Sequence, residues 1–500
     1  MNAPLRRVGV VALVMFGMLF ANLNWVQAYR GDSYRTSGYN GRVQVSEYER
    51  PRGVIEADAG KALAQSKATD GRLKYLRVYP EKQPWAHVLG YKPVNLGATG
   101  IERSENDFLA GTSDRLFADR VSDMFTGDTT SGGNVVLTLK TRAQETAWKE
   151  LNNNRKGVPR GAAVALNPRT GAVQALVSMP SFDPNPLAGH NTEAALAAYK
   201  RLENTTNSPL KNRALGEVLP PGSTFKIVVA AAALENGHTQ QTQIPAGSFY
   251  TAPTSGSAIK NAAPSICPES RVTLLNAVTE SCNTGFAQLG VKLGAAKIKA
   301  KAQAFGFEQD DLTVGNLTGG GLPVAASRTG DIKNPTDGSD DPAALAQSSI
   351  GQKDVRMTPL QGALIAAAVA NNGTQQRPYL VDKLLDADRS QLYTAQPKEL
   401  RRPISSAVAA DLQDMMVSVV RNGTGRSAAI DGYRVGGKTG TAQNGDLREH
   451  GWFIGFALDA GGQPVSAVCV VLENTGNGGS AEAARIGGLI MRAAIGRGGS

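Results

Sequence analysis

Pro220-Pro221-Gly222-Ser223-Thr224-Phe225-Lys226, followed by Ile227-Val228-Val229 and an alanine run to Glu235-Asn236-Gly237, is the stretch on which the reading of this chain turns. The two prolines and Gly222 break whatever precedes them, and Ser223 begins a helix that the apolar run carries on. Residues three apart share a helix face, which brings the Lys226 amine within reach of the Ser223 hydroxyl. A free serine is a poor nucleophile and needs a base beside it, and a helix start favours the negative charge that develops on its oxygen. Alone the pattern is weak, because an N-cap serine with a surface lysine reads the same way. Ser-x-x-Lys occurs twice more, at Ser208–Lys211 and Ser257–Lys260. The first holds Pro209 and the second sits in a turn-rich loop, so neither opens an apolar helix.

Two distant segments change the balance. Ser281-Cys282-Asn283 follows directly on a predicted helix, Leu274 to Glu280, and Lys438-Thr439-Gly440-Thr441 lies in a strand-like segment, Arg434 to Gln443. Each has a plain reading of its own. Ser281 and Asn283 could hydrogen-bond their own backbone in a loop, Lys438 and Thr439 could be solvated strand residues, and Gly440 a bulge. Together and in this order, Ser-x-x-Lys, Ser-x-Asn and Lys-Thr-Gly resemble the motifs of the penicillin-recognising serine enzymes. The likeness extends over nearly the whole chain. The hairpin at Asn167 to Val177, the helix start Thr358-Pro359-Leu360-Gln361, the Trp452-Phe453 strand, and the pieces Arg52-Gly53-Val54-Ile55 and Gly100-Ile101-Glu102 are similar to a class B penicillin-binding protein. With the short ectodomain and Asn24-Trp25-Val26-Gln27-Ala28, the chain most resembles the actinobacterial penicillin-binding protein A group. No glycosyltransferase-like segment precedes the motifs, which disfavours class A.

The resemblance implies an α+β fold, an antiparallel sheet flanked by helices, with a smaller β-rich amino-terminal domain and an N-terminal transmembrane helix. It implies a peptidoglycan D,D-transpeptidase that cross-links stem peptides and is acylated by β-lactam antibiotics. Ser223 would attack the carbonyl of a terminal D-Ala-D-Ala and become acylated. Lys226 would be the base, its pKa lowered by the neighbouring cation Lys438 together with desolvation. Ser281 would relay a proton to the departing amine, and Asn283 would hold Lys226 and the substrate amide. The backbone N–H groups of Ser223 and Thr441 would form an oxyanion hole, each donor worth about 3 kcal/mol. Lys438, Thr439 and Thr441 would take the terminal carboxylate, and Gly440 would let substrate lie along the strand edge. The rival readings are a D,D-carboxypeptidase or β-lactamase with water as acceptor, and a non-catalytic scaffold of a wall-building complex. A membrane glycan polymerase is the implied partner.

Composition is ordinary for a globular chain. The 500 residues, 41% hydrophobic and 19% charged, are too many for one ordinary domain. The net charge of +10 comes with no dense Lys/Arg run interleaved with aromatics, so nucleic acid is not an expected partner. The three cysteines and four histidines form no zinc-spaced cluster, and neither metal nor cofactor is expected. Cys267 and Cys282 are close enough to pair in an oxidising compartment, or to remain two small buried residues. His450, beside Trp452, reads as a loop histidine next to a core aromatic and is given no catalytic role.

Arg6 and Arg7 precede an apolar stretch running from Val8 to Ala28, about 31 Å long as a helix and enough to cross a bilayer core. The two arginines would stay inside and send the rest outside, with an uncleaved anchor favoured over a signal peptide ending at Val26-Gln27-Ala28. The expected divisions are a tail and anchor over 1–29, an amino-terminal domain over 30–133, the catalytic domain over 134–496 and a tail over 497–500. Short strands are expected at Val43-Gln44-Val45, Leu73 to Tyr79 and Val135 to Leu139, and a helix at Thr141 to Leu151. Later come a β-hairpin across Ala162 to Ser178 and a Thr-capped, Ala-rich helix from Pro359 to Asn371. Three strands, Arg434 to Gln443, Trp452 to Leu458 and Val465 to Leu472, precede a closing helix, Ala481 to Ile495.

Overall fold

The computed structural model describes residues 3–30, 47–95, 97–117, 131–205, 207–253, 255–334 and 337–496; the expected strand at Val43–Val45 and the tail 497–500 lie outside them. At its centre is a five-stranded sheet in the order Arg434–Asn444, Leu447–Leu458, Pro464–Leu472, Gly161–Leu166, Val173–Met179, antiparallel throughout. Alternate residues of these strands face two separate apolar clusters. Val164, Leu176, Ile454, Phe456 and Val471 pack with helix Pro359–Ala370, while Ala163, Val177, Phe453, Val468 and Val470 pack with the closing helix Gly479–Ile495. A strand covered on both faces has no polar side to show, which is why these segments read as continuous apolar runs.

Helix Pro359–Ala370 is buried at every position. Its start is capped as expected, the Thr358 hydroxyl accepting the Gln361 N–H at 3.1 Å with Pro359 in the first turn. Helices thus cover both faces of an antiparallel sheet, the expected α+β arrangement.

A second, six-stranded sheet runs in the order Gln391–Thr394, Val381–Leu385, Asn134–Leu137, Ile55–Glu56, Ala62–Ala68, Tyr75–Val78. Two of its strands come from far along the chain, so the amino-terminal region is built into the later sequence rather than tethered to it. Its polar centre is Glu102, fully buried, which accepts from Arg52 Nε at 2.7 Å and Arg77 Nε at 2.6 Å. Burial pushes this carboxyl up, but Arg77 and Arg52 outweigh it and hold the pKa below the ordinary range. The two amino-terminal pieces quoted above, around Arg52 and Glu102, therefore meet in space.

At the start, helix Ala3–Asn24 continues as a π-helical turn, Trp25–Tyr29. Val8, Leu13, Phe16 and Phe20 are all exposed, and the stretch Arg6–Gln27 is long and apolar enough to cross a membrane.

Candidate active site

Ser223 does not begin the α-helix itself but lies in the turn that leads into it. Gly222–Phe225 is a 3-10 turn, and the α-helix proper spans Lys226–Glu235. Pro221 precedes the turn, and Gly222 adopts φ +53° with its α-carbon so close to the catalytic strand that a Cβ would lie 2.3 Å from the Thr441 carbonyl oxygen. The tight turn eclipses residues three apart and keeps Ser223 and Lys226 on one side. Residues Lys226 to Leu234 are buried, so the lysine stem enters a dry interior.

The Lys226 amine donates to the Asn283 Oδ1 at 2.7 Å and the Ser281 carbonyl at 2.8 Å, with the Ser281 hydroxyl at 3.3 Å. The same hydroxyl accepts from Lys438 Nζ at 2.7 Å. Both lysines are fully buried. Burial lowers the Lys226 pKa to about 7, opposed by Cys282 and Cys267. Lys438 is pushed well below the usual range by burial first and by the Lys226 charge second. Of the two causes expected at Lys226, desolvation is the one at work there, while the repulsion between the two amines is felt at Lys438. No hydrogen bond joins Ser223 to Lys226 among the described residues; hydrogen bonds of this kind tighten on substrate binding in many enzymes.

Ser281 holds φ +65°, a left-handed conformation uncommon outside glycine, between helices Leu274–Thr279 and Asn283–Leu293. Asn261, which sequence reasoning missed, fixes this corner. Its Oδ1 accepts the N–H groups of Asn283 (2.8 Å) and Thr284 (3.2 Å), while its Nδ2 donates to the Gly247 and Ile266 carbonyls.

Ser223, Ser281, Asn283, Thr439 and Thr441 all line one cleft of about 850 Å³. The strand Arg434–Asn444 is the outer edge of its sheet, so backbone groups on its free side face the cleft. Gly440 faces elsewhere. A Cβ there would lie 2.7 Å from the Pro221 carbonyl oxygen and 2.9 Å from Thr224 Cγ2, so this glycine makes room for the nucleophile turn and not for substrate. Thr424, in the turn Gly423-Thr424-Gly425, also lines the cleft and is hydrogen-bonded to the Thr439 hydroxyl. Its flanking glycines were the available signal.

Of the two other Ser-x-x-Lys copies, Ser208–Lys211 lies apart, with Lys211 paired to Glu217. Ser257 and Lys260 do line the cleft, and the Lys260 carbonyl accepts from Asn283 Nδ2 at 2.9 Å. His450 is buried inside strand Leu447–Leu458, not in a loop, and accepts the Asn474 N–H through Nδ1. Burial lowers its pKa to about 4. Cys267 and Cys282 are buried free thiols, the first against the Glu280 carboxylate and the second against the Thr284 hydroxyl, so the possible bridge between them is not formed here.

Known proteins carry the same architecture. Residues 161–492 match the penicillin binding protein transpeptidase domain, and residues 52–135 match the penicillin binding protein A dimerisation domain. The chain is 42% identical to the peptidoglycan D,D-transpeptidase PbpA of Mycolicibacterium smegmatis, covering 99% of this chain and 98% of that protein. It superposes with a TM-score of 0.83 on the ceftriaxone acyl-enzyme complex of penicillin-binding protein A from M. tuberculosis, at 41% identity over 90% of this chain and all of that one. The penicillin G acyl-enzyme of the same protein gives a TM-score of 0.81 at 41% identity, over 89% of this chain and all of that one. With both of its domains matched and the three motifs gathered on one cleft, the chain belongs to the class B penicillin-binding proteins, the transpeptidase family.

Proposed function

We propose that this chain is a peptidoglycan D,D-transpeptidase, in which Ser223 is acylated by a D-Ala-D-Ala stem peptide and passes the acyl group to an amine on a neighbouring stem. The observation that carries this reading is the Ser281 hydroxyl held between two buried amines, at 3.3 Å from Lys226 and 2.7 Å from Lys438. An amine with pKa about 7 is half deprotonated at neutral pH, so Lys226 can take the Ser223 proton as its oxygen attacks. Ser281 bridges the two amines and is placed to hand that proton to the departing D-alanine. The N–H groups of Ser223 and Thr441 meet the developing oxyanion. Lys438, Thr439 and Thr441 receive the terminal carboxylate, with Thr424 orienting the Thr439 hydroxyl.

The exposed apolar helix supports an anchor, with Arg6 and Arg7 on the cytoplasmic side and the cleft outside. A membrane glycan polymerase is the expected partner, and the amino-terminal domain is the surface offered to it. β-Lactams are expected to acylate Ser223, as in the ceftriaxone and penicillin G acyl-enzyme complexes of penicillin-binding protein A from M. tuberculosis.

The reading is tested with the detergent-solubilised full chain and stem pentapeptide as both donor and acceptor. Cross-linked dimer should appear with release of one D-alanine per link and vanish in Ser223→Ala. Release of D-alanine without dimer would favour a carboxypeptidase.

A further inference from the structure

Beneath the Ser281 end of the cleft lie two amines that cannot comfortably both be protonated, so the positive charge there is about one rather than two. Lys226 and Lys438 are buried against the Ser281 hydroxyl, and exposed Lys260 lines the cleft, so the site is net positive. An acyl-accepting amine arrives largely as an ammonium ion, which such a field repels. Among the described lining residues only two are acidic, Glu280 and Glu449. They sit at different ends. Glu449 belongs to strand Leu447–Leu458 and lies near Gln443, past Thr441, where the donor peptide would run. Glu280 immediately precedes Ser281, the residue at which the leaving amine departs and the acceptor must enter.

Glu280 is also oddly placed for a merely structural carboxylate. It is exposed and follows the last residue of helix Leu274–Thr279, where backbone carbonyls already create negative potential. Its Oε2 accepts the Cys267 N–H at 3.3 Å, which orients the group, and no ion pair is formed with it among the described residues.

We infer that Glu280 binds the ammonium group of the acyl acceptor at the Ser281 end of the cleft and so selects a cationic side-chain amine over water. This rests on the acyl-enzyme reading given above. The bound ammonium releases one proton to solvent, and the free amine attacks the acyl carbon. The C–N bond forms, and the second nitrogen proton passes through Ser281 to Lys226 and on to Ser223 Oγ as the ester bond breaks. The amide, free serine and one released proton balance the step.

The test uses the full chain acylated by a stem-peptide thioester, with a stem peptide bearing a free side-chain amine as acceptor. Glu280→Gln keeps an acceptor for the Cys267 N–H while removing the charge. It should raise the acceptor KM about tenfold, the worth of one charge-assisted bond, and shift product from cross-link to hydrolysis. Its effect on the rate of benzylpenicillin acylation should be at least fivefold smaller, and Glu280→Asp should recover most of the loss. An acceptor KM unmoved by Glu280→Gln, an equal fall in acylation, or the same effect from Glu449→Gln in its place would overturn the assignment. Failure of the underlying reading would instead show as no penicillin adduct on the unmodified chain.

Discussion

Lys438 Nζ stands 2.7 Å from Ser281 Oγ, although the two residues are 157 positions apart in the chain. With Lys226 on the other side of that hydroxyl, two buried amines share one acceptor and cannot comfortably both carry a proton. The neutral base that acylation requires is thereby present at physiological pH without a histidine.

Acylation should follow the protonation of Lys226. Burial favours the neutral amine and brings its pKa to about 7, so the reactive form accumulates as pH rises through that value. Second-order acylation by benzylpenicillin is expected to fall about tenfold for each pH unit below 7 and to level off above it. Stopped-flow measurement from pH 5 to pH 9 checks this; a flat profile would remove Lys226 as the base.

Gly440→Ala should damage the nucleophile without touching substrate. The added methyl would press on the Pro221 carbonyl oxygen and Thr224 Cγ2, both part of the turn that carries Ser223. A displacement of about 1 Å there is expected to slow acylation about a hundredfold. A variant that retains its melting temperature but loses acylation would show that the strand aligns the turn.

Glu102→Ala leaves two buried guanidiniums, Arg52 and Arg77, without their shared carboxylate. Breaking such a buried pair costs about 3–5 kcal/mol. Urea unfolding should show the loss, while penicillin acylation of the remaining folded protein persists because the cleft lies elsewhere.

Asn261→Ala would free the N–H groups of Asn283 and Thr284 at the first turn of helix Asn283–Leu293. Loss of an acceptor at this kind of position costs about 1 kcal/mol. The larger effect should fall on acylation, because Asn283 also holds Lys226. Comparing the change in unfolding free energy with the change in acylation rate separates the two.

Most of the framework was legible because its signals are local. The Asn167 turn, the Thr358 cap and the apolar runs of the central sheet each declare themselves within a dozen residues, and the three motifs were recognisable by order. What escaped was decided by contacts between distant segments. Asn261 lies in a stretch with no periodicity, and only the fold brings it to the Ser281 corner. The side of the strand that Gly440 serves depends on where the nucleophile turn packs. Strand Leu447–Leu458 begins before Trp452 because exposed Leu447 and Arg448 continue the pairing with Asn444 and its neighbours, with no apolar alternation to mark it. Val381–Leu385 and Gln391–Thr394 joined the amino-terminal sheet across more than two hundred residues, which no local pattern encodes.

Everything here turns on which atom becomes acylated. Full-length protein treated with benzylpenicillin, then analysed by intact mass and peptide mapping, should carry one drug-derived adduct on the peptide containing Ser223 and none after Ser223→Ala. An adduct on any other residue, or folded protein left unmodified, would contradict the account.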